Sequence, residues 1–210
     1  MKLIYGSRPL QILLLVTLVL IGHSVNALRY NNLSDQFDIA VSIRVNTEEN
    51  PDFDSTYLKI SVFEKGSLNC IQAIRKKHFW IWDKLYITEN NARSYSTHFN
   101  EHDIAVDSDY GDVVIADLNF DELDDFAVIY DAGLNTGPSY YYYFQRPNKT
   151  FYRQVFLSET MLYFPTVIDK ENKRLITRVR SGVTHIGETT YQYNPKKESW
   201  YLLARRRIKV

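Results

Sequence analysis

The chain alternates apolar and polar residues with a period of two over most of its length, which is the pattern of half-buried β-strands. The clearest run is Phe37 to Val45, where apolar residues recur at every second position. Further strands are predicted at 58–62, 80–87, 113–116, 126–130, 140–144, 151–157, 175–179, 189–193 and 200–208. Many short strands separated by turn residues predict an all-β fold, a single antiparallel domain that is either propeller-like or a β-sandwich.

Helical signals are weak by comparison. Ser158 to Leu162 is compatible with one helical turn, and a second turn is expected near Cys70 to Lys76. Tyr140 to Tyr143 are four consecutive tyrosines out of 16 in the chain. In a strand, two of them would face the core and two would face outward. Outward tyrosines suit protein or sugar recognition, whereas an aromatic-rich sheet without a binding role is the alternative.

The first 27 residues read as a signal peptide. Lys2 and Arg8 supply a positive start, and an apolar stretch of 13 residues runs from Leu10 to Gly22. This stretch is shorter than the roughly 20 residues that cross a bilayer, and small residues before position 28 predict cleavage after Ala27. We therefore expect a mature domain of residues 28–210 that is periplasmic or secreted, with no transmembrane segment.

Composition excludes some classes of function. Cleavage removes two basic residues and no acid, so the net charge changes from zero to −2 and gives no reason to expect nucleic-acid binding. The segment 94–145 contains no Lys or Arg and many acids, which makes it strongly negative. Cys70 is the single cysteine. An internal disulfide is therefore impossible, and we expect Cys70 to be a buried, inert thiol.

The most specific motif is the acidic run between residues 117 and 125. Side-chain oxygens stand at loop positions 1, 3, 5 and 9, which suits Ca²⁺, a hard cation that takes about six to eight oxygen ligands. The predicted ligands are four side chains and the backbone carbonyl of position 7, namely Asp117, Asn119, Asp121, Leu123 and Asp125. Apolar β-prone runs flank the loop on both sides, and an EF-hand's glutamate at position 12 is replaced by Val128, so a loop between strands is predicted.

Two observations weaken this prediction. Asp and Asn are ordinary turn residues, so the run is also explained as an acidic turn that binds nothing. Position 6, which is usually Gly because the chain turns sharply there, is Glu122.

The sequence offers no catalytic constellation. Nucleophile elbows, His-Glu-x-x-His, phosphate-binding loops and Cys-x-x-Cys are all missing from it. We therefore expect a protein that is not an enzyme. Two glycine-containing loops, Gly133 to Ser139 and Ser181 to Gly187, are better suited to recognition, because binding residues concentrate on loops held by a rigid scaffold.

The chain from about residue 103 to 205 resembles a bacterial family of exported calcium-binding β proteins. The motifs that carry the resemblance follow the family's order along the chain: Asp117 to Asp125, Gly133 to Ser139, Tyr140 to Phe144, Leu157-Ser158-Glu159, Pro165, Ser181-Gly182 and Tyr191. The family includes a periplasmic immunity protein that neutralises a peptidoglycan hydrolase delivered by a type IV secretion killing system. Glu122 departs from the Gly that is usual in the family's metal loop.

The resemblance implies a compact, distorted β-propeller-like fold similar to periplasmic inhibitors of lysozyme. It implies that a Ser-Gly loop enters the cleft of a hydrolase, a role that falls to Ser181, Gly182 and Tyr191. We add Asn135 and Tyr140 as candidate partner-binding residues because they lie in the glycine loop and the tyrosine strand. The expected function is a calcium-binding inhibitor or immunity protein whose partner is a peptidoglycan hydrolase or another envelope protein. The alternative is a calcium-stabilised module that binds glycans or proteins of the cell envelope.

Overall fold

The computed structural model describes residues 28–44, 57–77, 91–100, 110–131, 133 and 136–210. Strands account for nearly all the regular structure of these residues, so the predicted all-β class is confirmed. Among the described residues, the helical element is the π-helical turn Leu157–Met161, which matches the turn predicted at that place. Within the described ranges, no helix combines the length and the apolar character needed to cross a membrane.

The strands form three sheets that follow chain order. The first sheet consists of β1 Leu28–Tyr30, β2 Phe37–Arg44, β3 Tyr57–Glu64 and β4 Cys70–Lys77. The middle sheet consists of β5 Ala92–Ser94, β6 Val113–Ala116, β7 Asp125–Asp131, β8 Ser139–Gln145 and β9 Phe151–Arg153. The last sheet consists of β10 Val167–Asp169, β11 Arg174–Arg180, β12 His185–Asn194 and β13 Ser199–Lys209. Neighbouring strands are antiparallel with one exception, since β5 runs parallel to β6.

Both faces of the middle sheet are buried. On β6, Val113 and Ile115 belong to a core shared with the first sheet, whereas Val114 and Ala116 belong to a core shared with the last sheet. Successive side chains of a strand point to opposite faces, so a strand covered on both sides reads as a continuous apolar run. The middle sheet therefore joins two hydrophobic cores and holds the other two sheets on its faces.

This stack has three sheets, one more than a two-sheet sandwich. Each sheet follows chain order, all neighbouring strands except β5 and β6 are antiparallel, and the sheets pack face to face through the middle one. Meandering sheets packed in this way are a feature of propellers. The distorted propeller-like arrangement itself stays a prediction.

The tyrosine strand differs from the expectation of two inward and two outward side chains. Tyr140 and Tyr142 are fully buried in the core toward the last sheet, and Tyr143 is 2% exposed in the core toward the first sheet. Tyr141 is half-buried, and its ring stacks on Tyr130 with the centroids 4.2 Å apart. The prediction was wrong because β8 lies inside the stack and has no solvent face over most of its length.

The region around Cys70 also differs from the expectation. Cys70 is exposed rather than buried, and residues 70–77 form the strand β4 rather than a helical turn. β4 is the edge strand of the first sheet, and its register against β3 shifts between Val62 and Phe63. The thiol stands beside this irregularity at the start of an edge strand, where no second layer covers it. The predicted signal peptide of residues 1–27 and the predicted strand at 80–87 lie outside the described residues.

Candidate metal centre and binding loops

The acidic run closes the hairpin between β6 and β7. Ala116 at the end of β6 pairs with Asp125 at the start of β7, so residues 117–124 form the connection between two paired strand ends. This is the strand–loop–strand context that the sequence predicted. Because the two ends are held together by the sheet, the first and ninth positions of the loop are brought side by side.

Hydrogen bonds to acidic side chains curl the loop. Asp117 accepts the backbone N–H of Asp121 on Oδ1 at 3.1 Å and that of Glu122 on Oδ2 at 3.2 Å. Asp121 Oδ1 accepts the N–H of Leu123 at 2.9 Å. Each carboxylate oxygen has two lone pairs, so these bonds leave acceptor capacity for a cation.

Two residues in the turn adopt the left-handed conformation. Phe120 has a φ of 65° and Glu122 has a φ of 70°. Glycine adopts this region freely and other residues rarely do. Glu122 therefore occupies the backbone conformation that explains why position 6 is usually glycine.

The interior end of the loop is closed by buried polar groups. Asp125 is fully buried, and it accepts the N–H of Leu118 on Oδ2 at 3.0 Å and that of Gln145 on Oδ1 at 2.9 Å. Asn119 is 7% exposed and donates through Nδ2 to Asp121 Oδ2 at 2.8 Å. Its Oδ1 is buried and accepts no hydrogen bond from the described residues.

Burial sets the electrostatics of the loop. Desolvation raises the pKa of the Asp125 carboxyl well above its usual value, and two backbone N–H donors only partly oppose this shift. Desolvation also raises the pKa of Asp117, against the two N–H groups it accepts and the ammonium of Lys170, whose Nζ is 3.9 Å from Asp117 Oδ2. Lys170 is 71% exposed, so this ion pair compensates little of the negative charge.

These features fit a hard cation. A divalent ion would supply the missing partner of Asn119 Oδ1 and the positive charge that the buried Asp125 lacks. In the described residues, no three His, Cys, Asp or Glu side chains stand together as a finished ligand set. Binding therefore requires the amide of Asn119 and the carbonyl of Leu123 as well as the carboxylates.

The loop between β11 and β12 is the most exposed candidate binding element. Residues 181–184 are all exposed, and Val183 at the tip is 93% exposed. The N–H of Ser181 donates to the carbonyl of His185 at 2.8 Å, which closes the hairpin, and Gly182 adopts a φ of 84°. Ser181 and Gly182 thus lie on an exposed hairpin tip, as expected of a recognition loop.

A cavity of about 390 Å³ adjoins this tip. Its wall includes Arg178, Arg180 and His185 from the hairpin, with Tyr110 and Thr166 on the other side. Arg178 Nε donates to Glu188 Oε2 at 2.8 Å, which fixes the guanidinium against the sheet. No motif in the sequence indicated this cavity, because its lining comes from segments more than 50 residues apart.

Two of the predicted partner-binding residues lie in the core instead of on the surface. Tyr140 is fully buried; its hydroxyl donates to the carbonyl of Gly111 at 3.0 Å and accepts the N–H of Tyr110 at 3.2 Å. Tyr191 is 3% exposed and belongs to the core between the middle and last sheets. Both predictions are corrected, because a side chain packed between two sheets cannot contact a partner.

The remaining candidates lie in the glycine loop after β7. Asn135 is outside the described residues. Gly133 has a φ of 65°, and a Cβ atom built on it would lie 2.0 Å from the carbonyl oxygen of Gly137. The close approach of these two backbones requires glycine at position 133, so its presence reflects chain geometry.

Comparisons with known proteins gave one informative result. No protein-family model matches the sequence, and the search of curated proteins found no match. Among solved structures, the chain is similar to one described as a Xanthomonas type IV secretion system related protein. The TM-score is 0.53 at 16% sequence identity, and the similarity covers 88% of this chain and 84% of that chain. At this identity the comparison shows a shared fold.

Proposed function

We propose that the protein is an exported, calcium-stabilised and non-catalytic inhibitor that binds a lysozyme-like peptidoglycan hydrolase, as immunity proteins do. The observation that carries the proposal is the exposed Ser181–Thr184 loop at the tip of the β11–β12 hairpin, beside a cavity whose lining includes two arginines. The fold likeness to a type IV secretion system related protein supports it, since that likeness extends over most of both chains. The predicted signal peptide supports a periplasmic or secreted location.

The chemistry of a hydrolase cleft matches this loop. Most glycosidases place two carboxylates on either side of the scissile bond, so their clefts are concave and acidic. A narrow hairpin tip can enter such a cleft, and the guanidinium groups of Arg178 and Arg180 give its flank a positive character. Burial of the exposed Val183 side chain would contribute about 1.5–3 kcal/mol.

Calcium has a structural role in this proposal. The loop 117–125 lies at the end of β7 where Asp125 meets Leu118 and Gln145, so an ion there would tie β6, β7 and β8 together. The hairpin tip at Ser181 follows the far end of β11. The ion would therefore stabilise the scaffold instead of contacting the hydrolase.

The burial of the tyrosines on β8 removes the main support for the alternative, a glycan-binding module. It rested on outward tyrosines along β8, and Tyr140, Tyr142 and Tyr143 are all buried. Aromatic rings bind sugars by stacking on exposed faces, and these rings are stacked inside the two cores.

The test is inhibition of purified hydrolases. The protein, purified after expression of the full-length chain, is titrated into lysozyme-like enzymes and into any hydrolase encoded beside its gene, with turbidity of a peptidoglycan suspension as the readout. We expect stoichiometric inhibition of at least one enzyme. Full activity of every enzyme at a tenfold molar excess of the protein would overturn the proposal.

A matched pair of variants tests the loop separately. Val183→Glu places a carboxylate at the tip that is to enter an acidic cleft, and it should abolish inhibition without lowering the melting temperature. Leu68→Glu is the control, because Leu68 is 87% exposed at the tip of the β3–β4 hairpin. Equal inhibition by both variants would reject the loop assignment while leaving the inhibitor proposal in place.

A further inference from the structure

The last sheet ends in an unusually long edge strand. β13 has 11 residues, and in the described part of the chain it pairs with β12 alone. The edge strands β1, β5, β9 and β10 have 3 residues each, and the edge strand β4 has 8. Proteins commonly keep edge strands short because unpaired N–H and C=O groups invite another strand to pair. β13 is therefore an exception among the described edge strands, because it is long and leaves many backbone groups unpaired on its outer side.

The first half of β13 is apolar and exposed. Tyr201, Leu202 and Leu203 are consecutive residues that are 44%, 41% and 44% exposed. In a strand with one buried face, alternate residues would be covered. Here all three side chains are partly in solvent, and a register shift between Thr190 and Tyr191 leaves Leu203 without a paired residue on β12.

The second half of β13 is cationic. Arg205, Arg206, Arg207 and Lys209 are exposed. Both carboxylate oxygens of Glu188 are taken, by Arg178 at 2.8 Å and by Arg206 at 2.6 Å. Among the described residues, Arg205, Arg207 and Lys209 form no ion pair. The edge therefore carries uncompensated positive charge next to an apolar stretch.

Positive charges on an edge strand also serve to repel other strands. Such charges repel a strand of like charge, but they attract a strand that carries acidic residues. In β13 the charges are confined to residues 205–209, and residues 201–203 have none. An edge divided in this way is suited to recognition, because its apolar half can pair with apolar residues of a partner strand and its basic half with acidic residues.

We propose that the edge of β13 binds an extended segment of a partner protein, which adds to the last sheet as a further strand. The segment carries acidic residues opposite Arg205 to Lys209 and apolar residues opposite Tyr201 to Leu203. Main-chain hydrogen bonds would supply affinity, and the charged and apolar halves would set specificity and direction. An antiparallel segment would be acidic in its N-terminal half and apolar in its C-terminal half. The proposal does not depend on the hydrolase, and it assigns a second surface to the protein.

The backbone direction along β13 is fixed by one hydrogen bond. The N–H of Val210 donates to the carbonyl of Thr184 at 2.9 Å, so this N–H points toward the β12 side. Backbone groups of successive residues point to opposite sides of a strand. The N–H and C=O of Arg207 therefore face away from β12, toward the added strand. Proline at 207 removes an outward N–H and leaves the β12–β13 hydrogen bonds intact.

The probe is a synthetic peptide of 11 residues, the length of β13, that is acidic in its N-terminal half and rich in Val, Ile and Tyr in its C-terminal half. We expect binding by fluorescence anisotropy, with amide NMR shifts along Ser199–Lys209. A peptide with Asn and Gln in place of the acids should bind about tenfold more weakly. The difference should shrink in high salt, because salt screens exposed charges.

Two variants of Arg207 distinguish the contribution of the backbone N–H to peptide binding from the contribution of the side-chain charge. Arg207→Ala removes one charge and keeps the N–H, so it should weaken binding only severalfold, whereas Arg207→Pro should abolish it. If circular dichroism shows that Arg207→Pro does not fold, a peptide N-methylated at alternate residues replaces this variant, and it should fail to bind the natural protein.

Three results would overturn the proposal. They are a failure of the acidic peptide to bind the natural protein, binding by the Arg207→Pro variant or the N-methylated peptide that is as tight as that of the unmodified pair, and NMR shifts that fall outside β13. Self-association of the protein through this edge, seen by sedimentation and lost in Arg207→Pro, would also overturn it.

Discussion

At the scale of single residues, the left-handed backbone of Glu122 offers a direct test of the metal loop. A non-glycine residue in this conformation costs roughly 1–2 kcal/mol, whereas glycine costs about 0.5–1 kcal/mol in unfolded-chain entropy. We expect Glu122→Gly to leave stability unchanged or raise it by up to about 1 kcal/mol and to tighten calcium binding. The hydrogen bonds at this position involve only backbone atoms of Glu122, so they survive the substitution.

Glu171→Gly is the matched control for that substitution. Glu171 is an exposed turn residue without positive φ, so glycine there adds only unfolded-chain entropy and should destabilise by about 0.5–1 kcal/mol. Urea unfolding of the three proteins measures the difference. If glycine lowers the free energy of unfolding at position 122 by as much as it does at position 171, the backbone of Glu122 is not strained.

The proposed ligands predict a loss of calcium response. Calcium should raise the melting temperature of the natural protein, because an ion that binds only the folded state stabilises it by mass action. Asp121→Ala should remove most of this increase, since it deletes a ligand and the carboxylate that accepts Asn119 Nδ2. Glu64→Gln, which neutralises an exposed acid of β3, should keep the full increase. A natural protein whose melting temperature is the same in calcium and in chelator would contradict the metal centre itself.

Residue spacing predicted the position of the acidic loop, but it could not predict which other candidate residues are exposed. Oxygens at alternate positions between two apolar runs located the loop at 117–125, because the spacing is a local property of the chain. The partner-binding roles given to Tyr140 and Tyr191 were wrong, since their burial depends on the last sheet packing onto the middle one. The exposure of Cys70 likewise depends on β4 lying at a sheet edge.

At the scale of elements, the hydroxyl of Tyr140 fastens the start of β8 to the segment before β6. Tyr140→Phe removes a buried hydroxyl that bonds to two backbone groups, those of Gly111 and Tyr110. We expect a loss of about 1–3 kcal/mol in unfolding free energy, because those groups lose a buried partner. Tyr141→Phe should cost less than about 0.5 kcal/mol, since its ring contacts survive. Loss of partner binding without loss of stability in Tyr140→Phe would restore the recognition role.

The ion pairs of the last sheet give it a defined pH dependence. The hydrogen bond from Arg206, followed by that from Arg178, lowers the pKa of Glu188 below its ordinary value of 4.5. Glu188 is 4% exposed, but two half-exposed arginines cover it, so we expect a contribution of roughly 1 kcal/mol. A lowered acid pKa stabilises the folded state above the unfolded value, and the contribution is lost as pH falls through the folded value.

Glu188→Gln should therefore be less stable than the natural protein at pH 7, and the difference should shrink below pH 4.5. Denaturant unfolding at several pH values measures it. The double variant Glu188→Gln/Arg206→Gln should be about as stable as Glu188→Gln alone, because the arginine has already lost its partner. If the natural protein and Glu188→Gln differ in unfolding free energy by the same amount down to pH 3, the ion pairs of Glu188 do not stabilise the sheet.

Most strands were predicted from their alternation, whereas three short strands were missed and β4, with 8 residues, was expected to contain a helical turn. The strands that overlap predicted segments are β2, β3, β6, β7, β8, β9, β11, β12 and β13. β1, β5 and β10 were missed, because 3 residues contain too little pattern to distinguish a strand from a loop. These three segments become strands because each pairs with a longer neighbouring strand. The parallel pairing of β5 with β6 is also a long-range property that no local pattern encodes.

At the scale of the whole molecule, the metal loop and the exposed hairpin lie at opposite ends of the sheets. β7 starts at Asp125 beside the loop and ends at Asp131 beside the Gly133 turn. β11 starts beside Lys170, which contacts Asp117, and ends at Ser181. Strands of 7 residues at about 3.3 Å per residue separate the two ends by roughly 20 Å. In the proposed function, the end with the acidic loop would stabilise the fold, and the opposite end would present the Ser181–Thr184 loop.

This separation predicts that calcium removal acts locally. Chelation should speed amide hydrogen exchange at Leu118, Leu123 and Gln145, because their N–H groups depend on the carboxylates of the loop. The Ser181 amide, which donates to His185 at the other end, should keep its protection. Exchange mass spectrometry with and without chelator, well below the melting temperature, provides the measurement. If the hairpin loses protection together with the metal loop, calcium also orders the binding end, and inhibition should then require calcium even where the protein is fully folded.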